Sequence, residues 1–131
     1  IIYDKSIPFK DLNKNKKLDK YEDWRLSSEE RAIDLASKLS LNEIAGLMLY
    51  SSHQSLPGRS MGAWMSSSYN GLPFEQSNAL ASDLTDEQRK FITEDNLRHI
   101  LITSVDSPEV AAIWSNNVQE LSESLGIWNT S

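Results

Sequence analysis

The chain has 131 residues, 39% apolar and 24% charged, enough for one globular domain with a real core. It has no cysteine, which removes disulfides, thiolate metal sites, iron–sulfur clusters and cysteine nucleophiles together. Its net charge of −6 argues against nucleic acid as a main partner, because phosphate binding needs clustered positive charge. No apolar run is long enough to span a membrane, and no signal peptide opens the sequence, which begins at Ile1 as a mature or trimmed chain would.

Residues 1–26 read as a polar, irregular extension, with Pro8 early and a dense Asp/Asn/Lys segment at 11–23. Residues 11–22 follow the EF-hand-like loop pattern D-x-[DN]-x-[DN]-G-x5-E except at its glycine, where Lys16 stands. The spacing suits Ca²⁺, which takes roughly six to eight oxygens. Asp11, Asn13 and Asn15 would supply side-chain oxygens, Lys17 its backbone carbonyl, Asp19 an oxygen directly or through water, and Glu22 both carboxylate oxygens. Against this stand the surrounding lysines, Pro8, which opposes an incoming helix, and Lys16. A left-handed residue other than glycine costs roughly 1–2 kcal/mol. The competing reading is a rigid polar turn held by Asx hydrogen bonds. The lysines at 10, 14, 16, 17 and 20, interleaved with Asp and Asn, read as a solvated face.

Helical signals start at Ser27. Ser27 with Glu30 forms a capping box, followed by Ala32, Leu35, Ala36 and Leu39 at helical spacing with Ile33 beside them. Ser40 with Glu43 is a second box, whose helix has the apolar face Leu41, Ile44, Ala45 and Met48. The two boxes predict a helix, a kink and a second short helix that runs into a buried strand-like stretch at 47–50. Residues 51–84 are serine-, glycine- and proline-rich, which predicts a long loop with one short helix near 76–82. Thr85 with Gln88 opens a third helix, to about Ile92. Residues 100–103 read as a buried strand. Ser107 and Pro108 then start a helix over 108–125, with Val110, Trp114, Val118, Leu121 and Leu125 on its core face and Gly126 as its cap. A further strand is predicted from Ile127. Strand, helix, glycine, strand over 97–130 is the rhythm of a βαβ unit with a parallel sheet.

No nucleophile–base arrangement stands out. His53 and His99 are the two histidines, and His99 reads as structural. The sequence holds no phosphate loop, no H-E-x-x-H and no G-x-S-x-G. Most carboxylates fall at helix starts, where capping and the helix dipole explain them. Asp106 lies beyond the C-terminal end of a predicted strand, the side where α/β folds place function. Trp64 and Tyr69, in the long loop, could stack on a sugar face. These three are the candidate substrate-binding residues.

Phe9 to Asn15 running through Leu18-Asp19 to Tyr21-Glu22-Asp23-Trp24-Arg25 is similar to the opening of glycoside hydrolase family 3 enzymes of the β-glucosidase type, in particular Bacteroides-like secreted members. Ser28-Glu29-Glu30-Arg31, leading through Lys38 to Glu43 and on to Ala45-Gly46-Leu47-Met48, resembles that family's first helix pair. The strand at 97–103, followed by Ala111-Ala112, Trp114-Ser115-Asn116 and Gln119-Glu120-Leu121, extends the resemblance to most of the chain outside 51–84. Lys16 departs from the glycine frequent there, and 126–129 is shorter than the family's run.

The resemblance implies an α/β fold: residues 1–26 as an N-terminal extension with the EF-hand-like loop, and 27–131 as the first β/α units of an incomplete (β/α)8 (TIM-like) barrel. It implies a secreted or periplasmic, retaining, exo-acting hydrolase of terminal β-linked sugars that needs no cofactor for catalysis. Its aspartate nucleophile and glutamate acid/base would both come from further along, so no catalytic residue falls in this chain, and whether the chain alone is an enzyme stays open. A structural Ca²⁺ and homo-oligomerisation through exposed sheet edges are the further expectations. The alternative is a non-enzymatic carbohydrate-binding or Ca²⁺-stabilised interaction module.

Overall fold

A computed structural model describes residues 1–59 and 67–125. Strands β1 (Ile2–Asp4) and β2 (Ile7–Phe9) form an antiparallel hairpin with Tyr3 opposite Pro8. Lys5 and Ser6 both take positive φ at its turn, the geometry whose twist matches that of the strands it joins. Phe9 is buried, stacks on Trp24 at 5.8 Å and lies beneath the Arg25 guanidinium, which also bonds Asp4 and Asp23. The extension is therefore ordered by contact with the start of the helical region.

The three predicted capping boxes are all formed. They open α1 (Ser28–Lys38), α2 (Leu41–Leu47) and α3 (Asp86–Thr93). Ser107 caps α4 (Pro108–Ser124), whose first residue is the expected proline. The short helix expected near 76–82 is instead a 3₁₀ turn, Phe74–Gln76. The strand-like stretch expected at 47–50 is not a strand. Leu47 ends α2, and Met48, Leu49 and Tyr50 are exposed. Of the stripe read as α2's core face, Leu41, Ile44, Ala45 and Met48, only Ile44 is half-buried, and the other three are exposed.

A strand lies within the segment expected to be loop. β3 (Gln54–Leu56) pairs in parallel with β4 (Ile102–Val105). Gln54 is opposite Ile102, Ser55 opposite Ser104 and Leu56 opposite Val105, with an irregularity between Gln54 and Ser55. Thr103 falls at that irregularity, and its hydroxyl donates to the Gln54 carbonyl. Backbone bonds Ser51 N–H to His99 O, Gln54 N–H to Leu101 O and Asp106 N–H to Leu56 O continue the ladder at both ends. β4 begins two residues later than the predicted strand, and His99 lies ahead of it, exposed. The complete βαβ unit among the described residues is thus β3–α3–β4. The strand expected from Ile127 and the Gly126 cap lie outside the described residues.

The core joins Leu56, Leu84 and Trp114, with Ile100, Ile102, Val110, Val118 and Leu121 packed against it. α4 contributes Val110, Trp114, Val118 and Leu121 of the face its spacing predicted, and Leu125 is not part of this cluster. At the centre, the buried Gln88 carbonyl accepts the Trp114 indole N–H at 3.0 Å and the Thr85 N–H, and its amide donates to Gln54. One side chain thus ties β3, α3 and α4. α3 ends where Asn96 turns left-handed, with Leu97 N–H bonding back to Phe91 O.

α2 is held against that turn through Gly46, where a Cβ would lie 2.3 Å from the Asn96 carbonyl oxygen. Gly46→Ala is therefore expected to lower the unfolding free energy by about 1–3 kcal/mol in urea titration, the usual range for overpacking. Helix propensity alone would favour alanine by roughly 0.5–1 kcal/mol, so a stabilised variant would contradict this packing.

Candidate functional site

Two regions bring polar side chains together. The first lies beyond the C-terminal ends of the parallel strands. β3 runs into Pro57, Gly58 and Arg59, and β4 into Asp106. Arg59 and Asp106 meet as a bidentate pair at 3.2 and 3.1 Å, both about half exposed. The same guanidinium is 3.9 Å from Glu75 and lies over the Phe74 ring. Asp106 thus occupies the strand end that its sequence position suggested. Its partner Arg59 carried no sequence signal, because the strand that delivers it was read as loop.

Tyr69 is 4% exposed. Its ring packs on Phe74 at 5.5 Å and its hydroxyl accepts the Gly58 N–H at 2.8 Å. Burial pushes its phenol pKa up. In the chain as described, Tyr69 is a post under the 57–59 turn. Trp64 lies outside the described residues. Gly58 cannot carry a side chain here, since a Cβ would fall 2.4 Å from the Thr85 methyl. Beside Tyr69 a cleft of about 380 Å³ is lined by polar groups, Asn70, Asn78, Asp83, Asp86 and Arg89 among them. Asp86 closes its floor by accepting from Gly71 N–H, Asn70 N–H and the Ser68 hydroxyl.

The second region is the 11–22 loop, which links Asn13, Asn15, Lys17, Asp19 and Glu22 by hydrogen bonds, while Asp11 bonds the Lys16 N–H. Asn13 and Asn15 both donate to one Asp19 oxygen, at 2.7 and 2.8 Å. Asn13 Oδ1 accepts Asn15 N–H, and Asn15 Oδ1 accepts Lys17 N–H, as in Asx turns. Asp11 Oδ2 accepts the N–H of Lys16, which takes a left-handed φ of 63° at the position where the pattern wants glycine. Glu22 is buried and accepts from Asp19 N–H, Leu12 N–H and the Tyr21 hydroxyl. Burial, then the neighbouring Glu22 carboxylate, raises the Tyr21 pKa. Asp11 Oδ1 is buried with no hydrogen-bond partner. Lys17 is exposed. Among the described residues, no three acidic or histidine side chains form a metal-holding group.

The five lysines of this stretch are all exposed, as a solvated face requires, and two of them still find partners. Lys10 pairs with Glu123, and Lys14 donates to the Ser124 carbonyl at the end of α4, where a cation suits the helix dipole. On the other side Lys38 of α1 bridges Asp34 and Asp19. The loop therefore joins α1 to the end of α4.

No protein-family model matches the chain. Over 124 residues, 92% of its length, it is 37% identical to the periplasmic beta-glucosidase/beta-xylosidase of Dickeya chrysanthemi. This ties the chain to a glycosidase. The chain spans 16% of that relative's length. Among the described residues no helix is long and apolar enough to cross a membrane.

The Gly71 N–H, the Ser68 hydroxyl and the Asn70 N–H hold the Asp86 carboxyl below its ordinary range. A folded pKa below the unfolded one gives stability that is present above the unfolded value, about 3.9, and lost as pH falls through the folded one. The urea midpoint is expected to fall below about pH 4, and to fall less steeply in Asp86→Asn, which is also less stable at neutral pH. Equal slopes in the two proteins would contradict the role given to this carboxylate.

Proposed function

We propose that the chain is the N-terminal portion of a secreted or periplasmic, retaining, exo-acting glycosidase of family 3, acting on terminal β-linked glucosides or xylosides. The observation that carries the reading is the 37% identity to a periplasmic beta-glucosidase/beta-xylosidase over 92% of the chain. The parallel β3–α3–β4 unit supports it, since strands followed by helices on one parallel sheet are the building units of a (β/α)8 barrel. Such a barrel needs roughly 250 residues, so the 131 residues would supply its first two strands. The paired Arg59 and Asp106 then belong to the face on which barrels carry substrate.

Retention needs two carboxyl groups about 5–5.5 Å apart, one a nucleophile and one a general acid and base. Both would come from later in the polypeptide. The contribution of these residues is to frame the cleft: the Gly58–Tyr69 bond fixes the loop after β3, and the Arg59–Asp106 pair locks the first two strand ends together. The intact polypeptide is expected to hydrolyse an aryl β-glucoside or β-xyloside, with the first-formed sugar of unchanged anomeric configuration by NMR. Residues 1–131 alone are expected to be inert. Inversion, or no hydrolysis by the intact protein, would refute the reading.

We further propose a structural Ca²⁺ in the 11–22 loop, favoured by the partnerless Asp11 Oδ1. Asp11, Asn13, Asn15, Asp19, Glu22 and the Lys17 carbonyl would hold it, and its chemistry would be to neutralise the loop's carboxylates. Calorimetry is expected to show Ca²⁺ uptake that Asp11→Ala abolishes. No uptake by the unsubstituted chain would overturn it.

A further inference from the structure

α2 turns the wrong face outward for a self-sufficient domain. Leu41, Ala45 and Met48 fall at i, i+4 and i+7, one side of the helix, and all three are exposed, Leu41 at 80% and Met48 at 79%. Leu49 (59%) and Tyr50 (72%) continue the apolar run to the entrance of β3. Single exposed apolar side chains are ordinary, but a contiguous patch marks a surface that something covers. The helix is not frayed there, since both bonds of its capping box are made and Gly46 holds its other side against Asn96.

The strand that this patch leads into is buried at Gln54 and Leu56, but one of its edges is unpaired among the described residues. Among the described residues β3 pairs with β4 alone. Parallel sheets are normally buried on both faces, and a two-stranded one is not independently stable. The two free edges have different claimants. α4 follows β4 and packs back on the sheet, so a right-handed crossover brings the next strand beside β4. The edge of β3, with the patch at its entrance, is left for polypeptide from further away. The relative has ample length to supply it, because this chain matches 16% of that protein. A second copy is disfavoured by charge, since each carries −6.

Resting on the reading above, we propose that Leu41, Ala45, Met48, Leu49 and Tyr50 are the docking face for the sheet-closing β/α unit of the same polypeptide, an apolar element from far downstream. The closure of the domain would then be sealed at the N-terminal end of β3, opposite the end that carries Arg59 and Asp106.

Hydroxyl-radical footprinting of the intact polypeptide, native against urea-unfolded, tests this at Tyr50 and Met48. The expected result is loss of labelling at both in the native protein, independent of protein concentration. Leu41→Asp with Met48→Asp is expected to restore labelling of Tyr50. Ala45→Glu, at the centre of the stripe, is the milder variant should the double one not fold. Native labelling of Tyr50 equal to the unfolded level would overturn the proposal. So would protection that disappears on dilution together with a halving of mass by light scattering, which would identify a second copy as the cover. Hydrolysis of an aryl β-glucoside is assayed on the same sample. Activity with Tyr50 open refutes the docking face alone, whereas a closed but inert protein refutes the hydrolase reading alone.

Discussion

The parallel pairing of β3 with β4 is the constraint from which the rest of the arrangement follows. Parallel neighbours cannot be joined by a tight turn, so the chain must leave β3, cross over and return. Residues 57–101 make that journey, and α3 is its helical part. The pairing fixes where α4 starts, because β4 feeds it through Asp106 and the Ser107 cap. It also sets Arg59 beside Asp106, residues 47 apart in sequence, at the ends of two adjacent strands. The pair is held to its helices by the apolar cluster around Leu56, Leu84 and Trp114 and, within it, by one amide. Gln88 is fully buried and meets an indole, a backbone N–H and a second amide, so its burial leaves little polar capacity unsatisfied.

What was legible in the sequence was whatever is decided locally. Capping boxes are decided by a pair of residues three apart, and all three read from the sequence are formed. The α4 stripe of Val110, Trp114, Val118 and Leu121 is a matter of spacing, and it faces the core as expected. β3 was not legible, because Gln54-Ser55-Leu56 holds no β-branched or aromatic residue and makes a strand only when β4 lies alongside. The misreading of α2 has a different cause. Its amphipathic pattern is real, but pattern says only that a face will be covered, not that these residues cover it.

The candidate site was half legible for the same reasons. Asp106 announced itself by standing after a strand, while Arg59 stayed hidden with β3. The 11–22 loop was legible as a motif, and its Asx bonds and left-handed Lys16 follow the motif's turn. That a lysine takes the place of glycine there, at a cost of roughly 1–2 kcal/mol, means the rest of the loop over-determines the turn. The anchoring is visible in Glu22, Lys38 and Lys14, which fasten the loop to itself, to α1 and to the end of α4. A segment that reads as a polar extension is thus the brace between α1 and the end of α4.

On the proposed function, these residues open a much larger hydrolase. The most direct measurement is the mass of the native protein recovered from its source, identified by peptides from residues 1–131. The expected result is a polypeptide several times heavier than 14.8 kDa, with these peptides at its N-terminal end. A native protein of 14.8 kDa would contradict it, because no barrel could then close and no pair of catalytic carboxylates could be supplied.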